Sequence, residues 1–211
     1  MRYEWLDDYL MAKRAVTRDL QPDWNWIRYK IGDRMFAAVP LDDSNKPCFI
    51  TLKVDPTEGE FLRAQYADVI PGYYCDRQHW ISVQPDGAVP DGTLRRLLDK
   101  ARLLVLEGFS GRKQREILGL SACGTECGSC AFFGENCPGC NAARGKVFHA
   151  PAGRSCPIHA CAVGKRRGAS CARCGELPCG LWRATRDPRM DDAAFAENTA
   201  ARIANLKEGW E

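Results

Sequence analysis

The chain has 211 residues, and its 30 Lys and Arg against 27 Asp and Glu give a formal net charge of +3. This length fits one or two domains, and the near balance of charge does not provide the attraction that dominates non-specific nucleic-acid binding. Because the sequence has no run of about 18 apolar residues and no signal-peptide pattern at its start, we expect a cytoplasmic protein with no membrane partner.

Hydrophobic spacing in residues 1–108 predicts an α+β domain, a small antiparallel sheet with helices on one face. Gly32-Asp33 is typical of a two-residue hairpin turn, and Pro56 suits the first position of a helix. In chain order, the predicted elements are a helix over 3–14, strands over 24–31, 34–40 and 47–54, a helix over 55–66, strands over 71–74 and 80–84, and a helix over 91–106.

Strand alternation divides the predicted sheet into two faces. One face is aliphatic and should pack on the helices. The other face carries cations and aromatic residues, namely Trp26, Arg28, Lys30, Arg34, Phe36, Phe49 and Lys53. On such a face the aromatic rings can stack on bases while the cations bind phosphate groups, but the same residue types are also common at protein interfaces. Because residues 1–120 hold 18 basic and 18 acidic residues, we expect a protein partner or self-association through this face, with nucleic acid as the weaker alternative.

His79 is the side chain in this domain that titrates nearest to neutral pH. It lies between the aromatic residue Tyr73 and the indole of Trp80 in the sequence. We therefore consider a small pocket around His79 and Tyr73, although a histidine that packs on an indole to shape a loop is the plainer interpretation. The sequence fixes no second acid, base or nucleophile beside it, so it identifies no catalytic residue and favours binding over catalysis.

Three separated motifs span much of this domain. They are Tyr29-Lys30-Ile31-Gly32-Asp33-Arg34-Met35-Phe36-Ala37, Ile50-Thr51-Leu52-Lys53-Val54-Asp55-Pro56 and Pro71-Gly72-Tyr73-Tyr74-Cys75-Asp76-Arg77-Gln78-His79-Trp80. In this order they resemble the MmcQ/YjbR family. The resemblance implies a small α+β domain of the secretion-chaperone-like type over about residues 1–108. The family is often labelled DNA-binding and has no established catalytic residues, and residues 13–23 depart from its usual sequence.

Residues 109–120 are basic and glycine-rich, and we interpret them as a linker to a second domain over residues 121–211. Ten of the twelve cysteines lie close together there: Cys123, Cys127, Cys130, Cys137, Cys140, Cys156, Cys161, Cys171, Cys174 and Cys179. Three of the gaps are C-x2-C, the spacing at which two thiolates converge on one metal ion. Only seven large apolar residues lie between residues 121 and 180, too few to offset the ordering entropy, so we expect bound metal to stabilise this fold.

Two zinc ions, each bound by four thiolates, are the predicted cofactors. Ten cysteines exceed the eight required. Either two thiols are spare, or a histidine replaces a sulfur (His149 or, as the better candidate, His159), or the metal is not zinc. Two such sites would bring the charge of +3 to about −1. Cys123-x3-Cys127-x2-Cys130 also matches the iron–sulfur motif of radical S-adenosylmethionine enzymes, and although fewer than 90 residues follow Cys123, too few for their barrel, a [4Fe–4S] cluster remains the alternative.

The cysteine motifs occur in the order C-G-x-x-C-G-x-C, C-P-G-C, C-P-I-x-x-C-A and C-x-x-C-x-x-x-P-C, ahead of a helix that Asp191 should cap. This order resembles an uncharacterised family of cysteine-rich domains of bacteria and archaea, and the resemblance implies metal binding over about residues 121–185. We therefore expect a cytosolic zinc-binding protein that acts as a binding or regulatory module for a protein or nucleic-acid partner. The alternative is a redox enzyme or sensor that uses an iron–sulfur cluster or the thiols.

Overall fold

The computed structural model describes residues 1–130 and 132–210, and its contacts divide the chain into two units, Met1–Gly108 and Phe109–Glu211. The first unit confirms the α+β fold. Its elements are α1 (Leu6–Met11), β1 (Val16–Gln21), β2 (Trp26–Ile31), β3 (Arg34–Pro40), β4 (Ile50–Lys53), α2 (Pro56–Gln65), β5 (Val69–Pro71), β6 (Trp80–Val83) and α3 (Asp91–Glu107).

The six strands form one antiparallel sheet in the order β1-β2-β3-β4-β6-β5. Helix α3 packs across β2, β3 and β4, because its apolar residues recur at helical spacing and are buried, among them Leu94, Leu97 and Leu98. Helix α2 lies near the β6 end of the same face, and a side chain at Gly59 would approach Ile81. The core therefore lies between one face of the sheet and the helices.

Strand β1 was not predicted by the sequence, which gave a helix over residues 3–14 and no strand before residue 24. Helix α1 ends at Met11, and Ala15 adopts a left-handed conformation (φ 61°) that redirects the chain into β1. The strand then pairs with β2 from Val16 opposite Ile31 to Gln21 opposite Trp26. Only its first residue is buried, so this edge strand lacks the apolar alternation by which strands are recognised.

A β-bulge in β3 overturns the predicted orientation of two residues. Tyr29 lies opposite Ala37 whereas Lys30 lies opposite Met35, so Phe36 is the extra residue. Phe36 is fully buried, and Arg34 instead extends to the end of α3, where its Nη1 donates to the Gly108 carbonyl at 3.1 Å. The assignment of both residues to the cation–aromatic face was wrong, because strict alternation does not continue through a bulge.

The second unit begins with a helix in the segment that the sequence suggested as a linker. Its helices are α4 (Gly111–Leu118), α5 (Pro157–His159), which continues into a π-helical turn (Ala160–Lys165), α6 (Gly180–Ala184) and α7 (Asp192–Trp210). Ser110 caps the start of α4, and Gln114 Oε1 accepts a hydrogen bond from Trp210 Nε1 at 3.0 Å. Residues 109–120 therefore pack within the second unit. Within the described residues, no helix is both long enough and apolar enough to span a membrane.

Helix α7 packs tightly on the turn that contains the first cysteine of the cluster. The predicted cap is confirmed, because Asp191 Oδ1 accepts from the backbone N–H of Ala194 at 2.8 Å. Gly124 has φ +79°, and a Cβ atom there would lie 2.2 Å from the carbonyl oxygen of Arg202. Only glycine fits this position, which fixes the Cys123 turn against the helix.

Candidate metal centre

The aromatic residues of the predicted cation–aromatic face form a cluster with the loop that follows β5. Tyr73 in this loop lies 6.5 Å from Trp26 and 5.0 Å from Phe49, between ring centroids. Trp24 and Tyr74 extend the cluster at 6.0 and 4.5 Å. We call these five residues the aromatic cluster. Trp26 is buried, whereas Tyr74 and Trp24 are 85% and 58% exposed, so the cluster presents an apolar surface at its two ends.

The cations of the same face are paired within the unit. Arg28 makes two hydrogen bonds to the carboxylate of Asp19 at 2.8 and 2.9 Å, and Lys30 Nζ donates to it at 2.6 Å. These two partners lower the pKa of Asp19 to about 2. Lys53 lies over the Trp80 ring at 5.3 Å. The unpredicted strand β1 supplies Asp19, and this carboxylate reduces the positive charge that the face can offer to phosphate groups.

The predicted pocket includes Tyr73 but not His79. Tyr73 lines an open cleft of about 490 Å³ whose other lining residues are Ile70, Pro71, Gly72, Tyr74, Cys75 and Arg77. His79 is not part of this lining, within the fully described residues 1–108. It is exposed, with Nδ1 3.0 Å from Asp76 Oδ2, and Asp76 also accepts from the backbone N–H groups of Gln78 and His79. His79 thus helps to shape the loop before β6.

All twelve cysteines carry free thiols, and ten of them are concentrated in the second unit. Over residues 1–130 and 132–210, no three His, Cys, Asp or Glu side chains are arranged to hold a metal ion. Thiols in C-x2-C turns, with N–H groups that hydrogen-bond the sulfurs, are ligands that suit zinc. The sulfurs would nevertheless have to move closer together to coordinate the ion.

One group of cysteines is formed by two neighbouring C-x2-C turns. The Cys130 N–H donates to the Cys127 carbonyl at 3.1 Å, and the Gly134 N–H donates to the Cys137 carbonyl at 3.0 Å. A Cβ atom on Gly139, which has φ +85°, would lie 3.7 Å from the Cys127 Cβ. Burial raises the pKa of Cys127, while the backbone N–H of Cys140 hydrogen-bonds its sulfur and acts in the opposite direction. The two turns therefore face each other.

A second group joins the start of the cysteine-rich segment to its end. The Cys171 N–H donates to the Ala122 carbonyl at 2.8 Å, and the Cys174 N–H donates to the Cys171 carbonyl at 2.9 Å. Burial, together with the negative charges of Cys123, Cys174 and Cys179, raises the pKa of Cys171 to about 12, although the indole N–H of Trp182 acts in the opposite direction. Cys123, which is 48 residues away in the sequence, therefore affects Cys171 together with the two nearby cysteines.

Cys123 lies among polar groups that favour its thiolate form. Its sulfur is 3.2 Å from Ser121 Oγ and 3.5 Å from Thr125 Oγ1, and Arg202 Nε donates to its carbonyl at 3.1 Å. Burial raises the pKa of Cys123, but the Arg202 cation and the hydrogen bonds from Ser121 and Thr125 outweigh this effect, so the pKa lies below the usual value. No sequence pattern indicates Arg202, which is 79 residues away.

The remaining candidate metal ligands are His159, Cys156 and Cys161. A Cβ atom on Gly145 would be 2.6 Å from the His159 ring, and burial followed by the Arg115 cation lowers the pKa of His159, so the imidazole is neutral at pH 7. Cys156 immediately precedes α5, and the sulfur of Cys161 hydrogen-bonds with Arg166. The structure thus shows His159 against Gly145 and two cysteines outside the paired turns.

An open cleft of about 580 Å³ runs beside the Cys127 and Cys140 turns within the second unit. Arg112 and Glu116 of α4, which line it, form an ion pair at 2.8 Å. Arg115, which also lines the cleft, donates to Asn141 Oδ1 at 2.8 Å and to the Ala169 carbonyl. These contacts indicate that Arg115 holds the cysteine-rich loops in place.

The family model described as YjbR matches residues 11–104. The chain is 35% identical over 91 residues to the uncharacterized protein YjbR of Escherichia coli (strain K12), covering 43% of this chain and 75% of that protein. It is 32% identical over 89 residues to the uncharacterized protein YbdF of Escherichia coli O157:H7, covering 42% and 71%. The crystal structure of Deinococcus radiodurans protein DR2400, with a DUF419 domain, is 33% identical, with a TM-score of 0.48, over 55% of this chain and 86% of that one. The chain belongs to the YjbR family through its first unit.

Proposed function

We propose that the second unit is a zinc-binding module, and that the chain acts as a binding or regulatory protein rather than as an enzyme. The observation that carries this proposal is the pairing of cysteine turns, in which Cys127 faces Cys140 and Cys171 lies beside Cys123. A backbone N–H group points at the sulfur of Cys127, and two hydroxyls lie beside the sulfur of Cys123. Such donors stabilise thiolates, which are the form that binds zinc.

The small apolar core of the cysteine-rich segment supports the same proposal. Between residues 121 and 180, the buried apolar residues of the described chain other than cysteine are Ala122, Val147, Ile158 and Ala162. Burial of so little apolar surface cannot offset the entropy lost when about 60 residues become ordered. A structural zinc ion contributes on the order of 10–16 kcal/mol of apparent binding free energy, and this energy is also folding energy.

A protein partner is the favoured ligand of the first unit. The aromatic cluster exposes Tyr74 and Trp24, and exposed aromatic residues are enriched at protein interfaces. Nucleic acid is less favoured, because Asp19 pairs with Arg28 and Lys30 on the same face and offsets one of their two positive charges. A zinc-stabilised unit in the same chain as such a surface is the organisation of a binding module.

Elemental analysis of the full chain, purified without oxygen, tests the proposal. We expect about two zinc ions per chain and a colourless solution, because d¹⁰ zinc has no visible absorption. A folded protein with no metal would overturn the proposal. A brown protein that contains iron and bleaches on reduction would replace zinc with an iron–sulfur cluster and redirect the function to redox chemistry.

A further inference from the structure

We propose that residues 144–189, which we call the basic segment, form a binding surface for single-stranded nucleic acid. This segment contains ten Lys and Arg against two Asp and Glu, a net charge of +8, whereas the rest of the chain carries 20 against 25. A single strand offers regularly spaced phosphates and bases with exposed faces. The inference goes beyond the proposed zinc binding, because it rests on charge and exposed rings rather than on metal.

The near neutrality of the whole chain hides this separation of charge. At physiological ionic strength the field of an exposed charge is screened over about 8 Å, so acidic residues farther away than this do not cancel the field of the basic segment. Even if two zinc ions with four thiolates each contributed about −4, the segment would keep a charge of about +4. A strand that approaches the segment would therefore meet a positive potential.

Most of the cations in the basic segment are exposed and have no acidic partner. Nine of the ten basic residues are exposed, and Arg166, Arg186 and Arg189 form ion pairs at 2.6 to 3.3 Å. Over residues 1–130 and 132–210, six others have no carboxylate at ion-pair distance, namely Arg144, Lys146, Arg154, Lys165, Arg167 and Arg183. Repulsion among like charges destabilises a fold, and a bound polyanion would relieve it.

One loop, over residues 144–156, brings three of these six cations together. Ser155 Oγ donates to the Arg144 carbonyl at 3.0 Å, and a neighbouring backbone hydrogen bond of 2.7 Å also joins the two arms of the loop. These bonds hold Arg144 and Lys146 of the first arm beside Arg154 of the second. The loop therefore presents a local group of positive charges to a phosphate backbone.

The same loop presents an aromatic ring to solvent. Val147 is buried and anchors the loop, whereas the next residue, Phe148, is 54% exposed. The Phe148 ring lies 4.6 Å from Phe132 and 5.1 Å from His149, between ring centroids. Bases stack on exposed rings of this kind while nearby cations bind the adjoining phosphates. An exposed ring among cations therefore favours a single strand over an acidic peptide, which has no bases, or a duplex, whose bases are already stacked.

Helix α5 and its π-helical turn connect this loop to the next group of cations. His159 of α5 lies against the loop, because a Cβ atom on Gly145 would be 2.6 Å from its ring. The turn ends at Lys165, and Arg167 follows two residues later. At about 1.5 Å per residue, the helical stretch between the two groups spans about 13 Å. A strand of several nucleotides is long enough to contact both groups.

Titration of the full chain with fluorescent single strands of about 12 nucleotides tests the inference. Oligothymidylate and oligouridylate serve as the DNA and RNA probes, and a duplex DNA and a polyglutamate peptide of the same length serve as comparisons. We expect at least one single strand to bind more tightly than both comparisons, because only single strands present free base faces. Equal or tighter binding of the duplex or the peptide would overturn the inference, as would no binding of either strand at low salt.

The double variant Arg144→Gln/Lys146→Gln tests the contribution of the loop cations. Its matched control is Arg96→Gln/Lys207→Gln, which changes one exposed Arg and one exposed Lys outside the basic segment. Each phosphate contact with a single strand contributes about 0.7 to the slope of log K against log salt concentration. We therefore expect the magnitude of the slope to fall by about 1.4 in the loop variant and to stay unchanged in the control. Equal slopes in the two variants would overturn the assignment of the surface.

Phe148→Ala tests the stacking, with Phe61→Ala, which changes a 66% exposed ring of the first unit, as the control. We expect the affinity for a single strand to fall by roughly 5- to 150-fold in Phe148→Ala, with the salt slope unchanged, and to stay constant in the control. An unchanged affinity in Phe148→Ala would contradict the inference. Elemental analysis of the same samples separates the two proposals: a zinc-free wild type that binds the strands defeats the proposed function alone, whereas a zinc-loaded wild type that binds neither strand defeats this inference alone.

Discussion

The two units differ in what holds them together. In the first unit, large apolar side chains from the strands and from α3 are fully buried, including Phe36, Ile31, Ile50, Leu52, Ile81, Leu94, Leu97 and Leu98. In the second, a small core of Leu118, Leu120, Leu206 and Trp210 lies between α4 and α7. The cysteine-rich segment beside it buries mainly small residues and sulfur.

Because of this difference, the two units should respond to different perturbations. Burial of apolar surface contributes about 25 cal/mol per Å² whatever the redox state or metal supply. Zinc–thiolate bonds disappear when the metal is removed or the sulfurs are oxidised. The comparison therefore predicts a first unit that is insensitive to chelators and thiol reagents, and a second unit that depends on them.

Metal removal should produce the largest effect. A strong chelator at neutral pH is expected to unfold the cysteine-rich segment, with the loss of about 10–16 kcal/mol per site. Hydrogen exchange measures this: the amides of Cys130 and Cys174 should lose protection, while those of Leu52 and Ile81 keep it. Loss of protection at all four amides would contradict the expectation that only the second unit depends on bound metal.

Shortening a buried side chain of the first unit should instead lower the stability of that unit and leave the metal content unchanged. Leu97 in α3 is 1% exposed, so Leu97→Ala is expected to reduce the free energy of unfolding by about 2–5 kcal/mol through lost contacts and a residual cavity. Urea unfolding measures the change, and the metal content should not alter. Leu104→Ala in the same helix is the control, because Leu104 is 37% exposed; equal losses in both variants would contradict the burial argument.

A smaller effect is expected where α7 packs on the Cys123 turn. Gly124→Ala places a Cβ atom 2.2 Å from the Arg202 carbonyl oxygen at a residue with φ +79°. The backbone strain alone costs on the order of 1–3 kcal/mol, and the second unit should melt earlier in calorimetry. Gly128→Ala is the matched control, since a Cβ atom there meets nothing within 4 Å. An unchanged melting temperature in Gly124→Ala would show that this contact is dispensable.

Elements with strong local signals were predictable from the sequence. Asp55-Pro56 predicted the start of α2, and the structure shows Asp55 Oδ1 accepting from the Thr57 N–H at 2.9 Å. The periodic leucines predicted α3 to within one residue. In these segments the local preference and the tertiary environment agree, so pattern alone was sufficient.

The features that the sequence did not provide depend on contacts between distant residues. The bulge at Phe36 moved that side chain into the core, and β1 is recognisable only through its pairing with β2. In the second unit, the C-x2-C spacings indicate which cysteines form turns. The neighbourhood of Cys123 and Cys171 comes instead from a hydrogen bond across about 50 residues, and no local pattern predicts it.

The smallest effect tests whether surface charge adds to the apolar stabilisation of the first unit. The pKa of Asp19 is lowered to about 2 by its hydrogen bonds with Arg28 and Lys30, against about 3.9 in an unfolded chain. A lowered pKa in the folded state contributes stability that is present above about pH 4 and lost as the pH falls through about 2. The carboxylate is partly exposed and screened by solvent, so Asp19→Asn should cost only about 0.2–1 kcal/mol at pH 7 and almost nothing near pH 2. Urea unfolding at both pH values measures this difference, with the exposed Asp23→Asn as control. A penalty that persisted at pH 2 would mean that Asp19 acts through packing rather than through its charge.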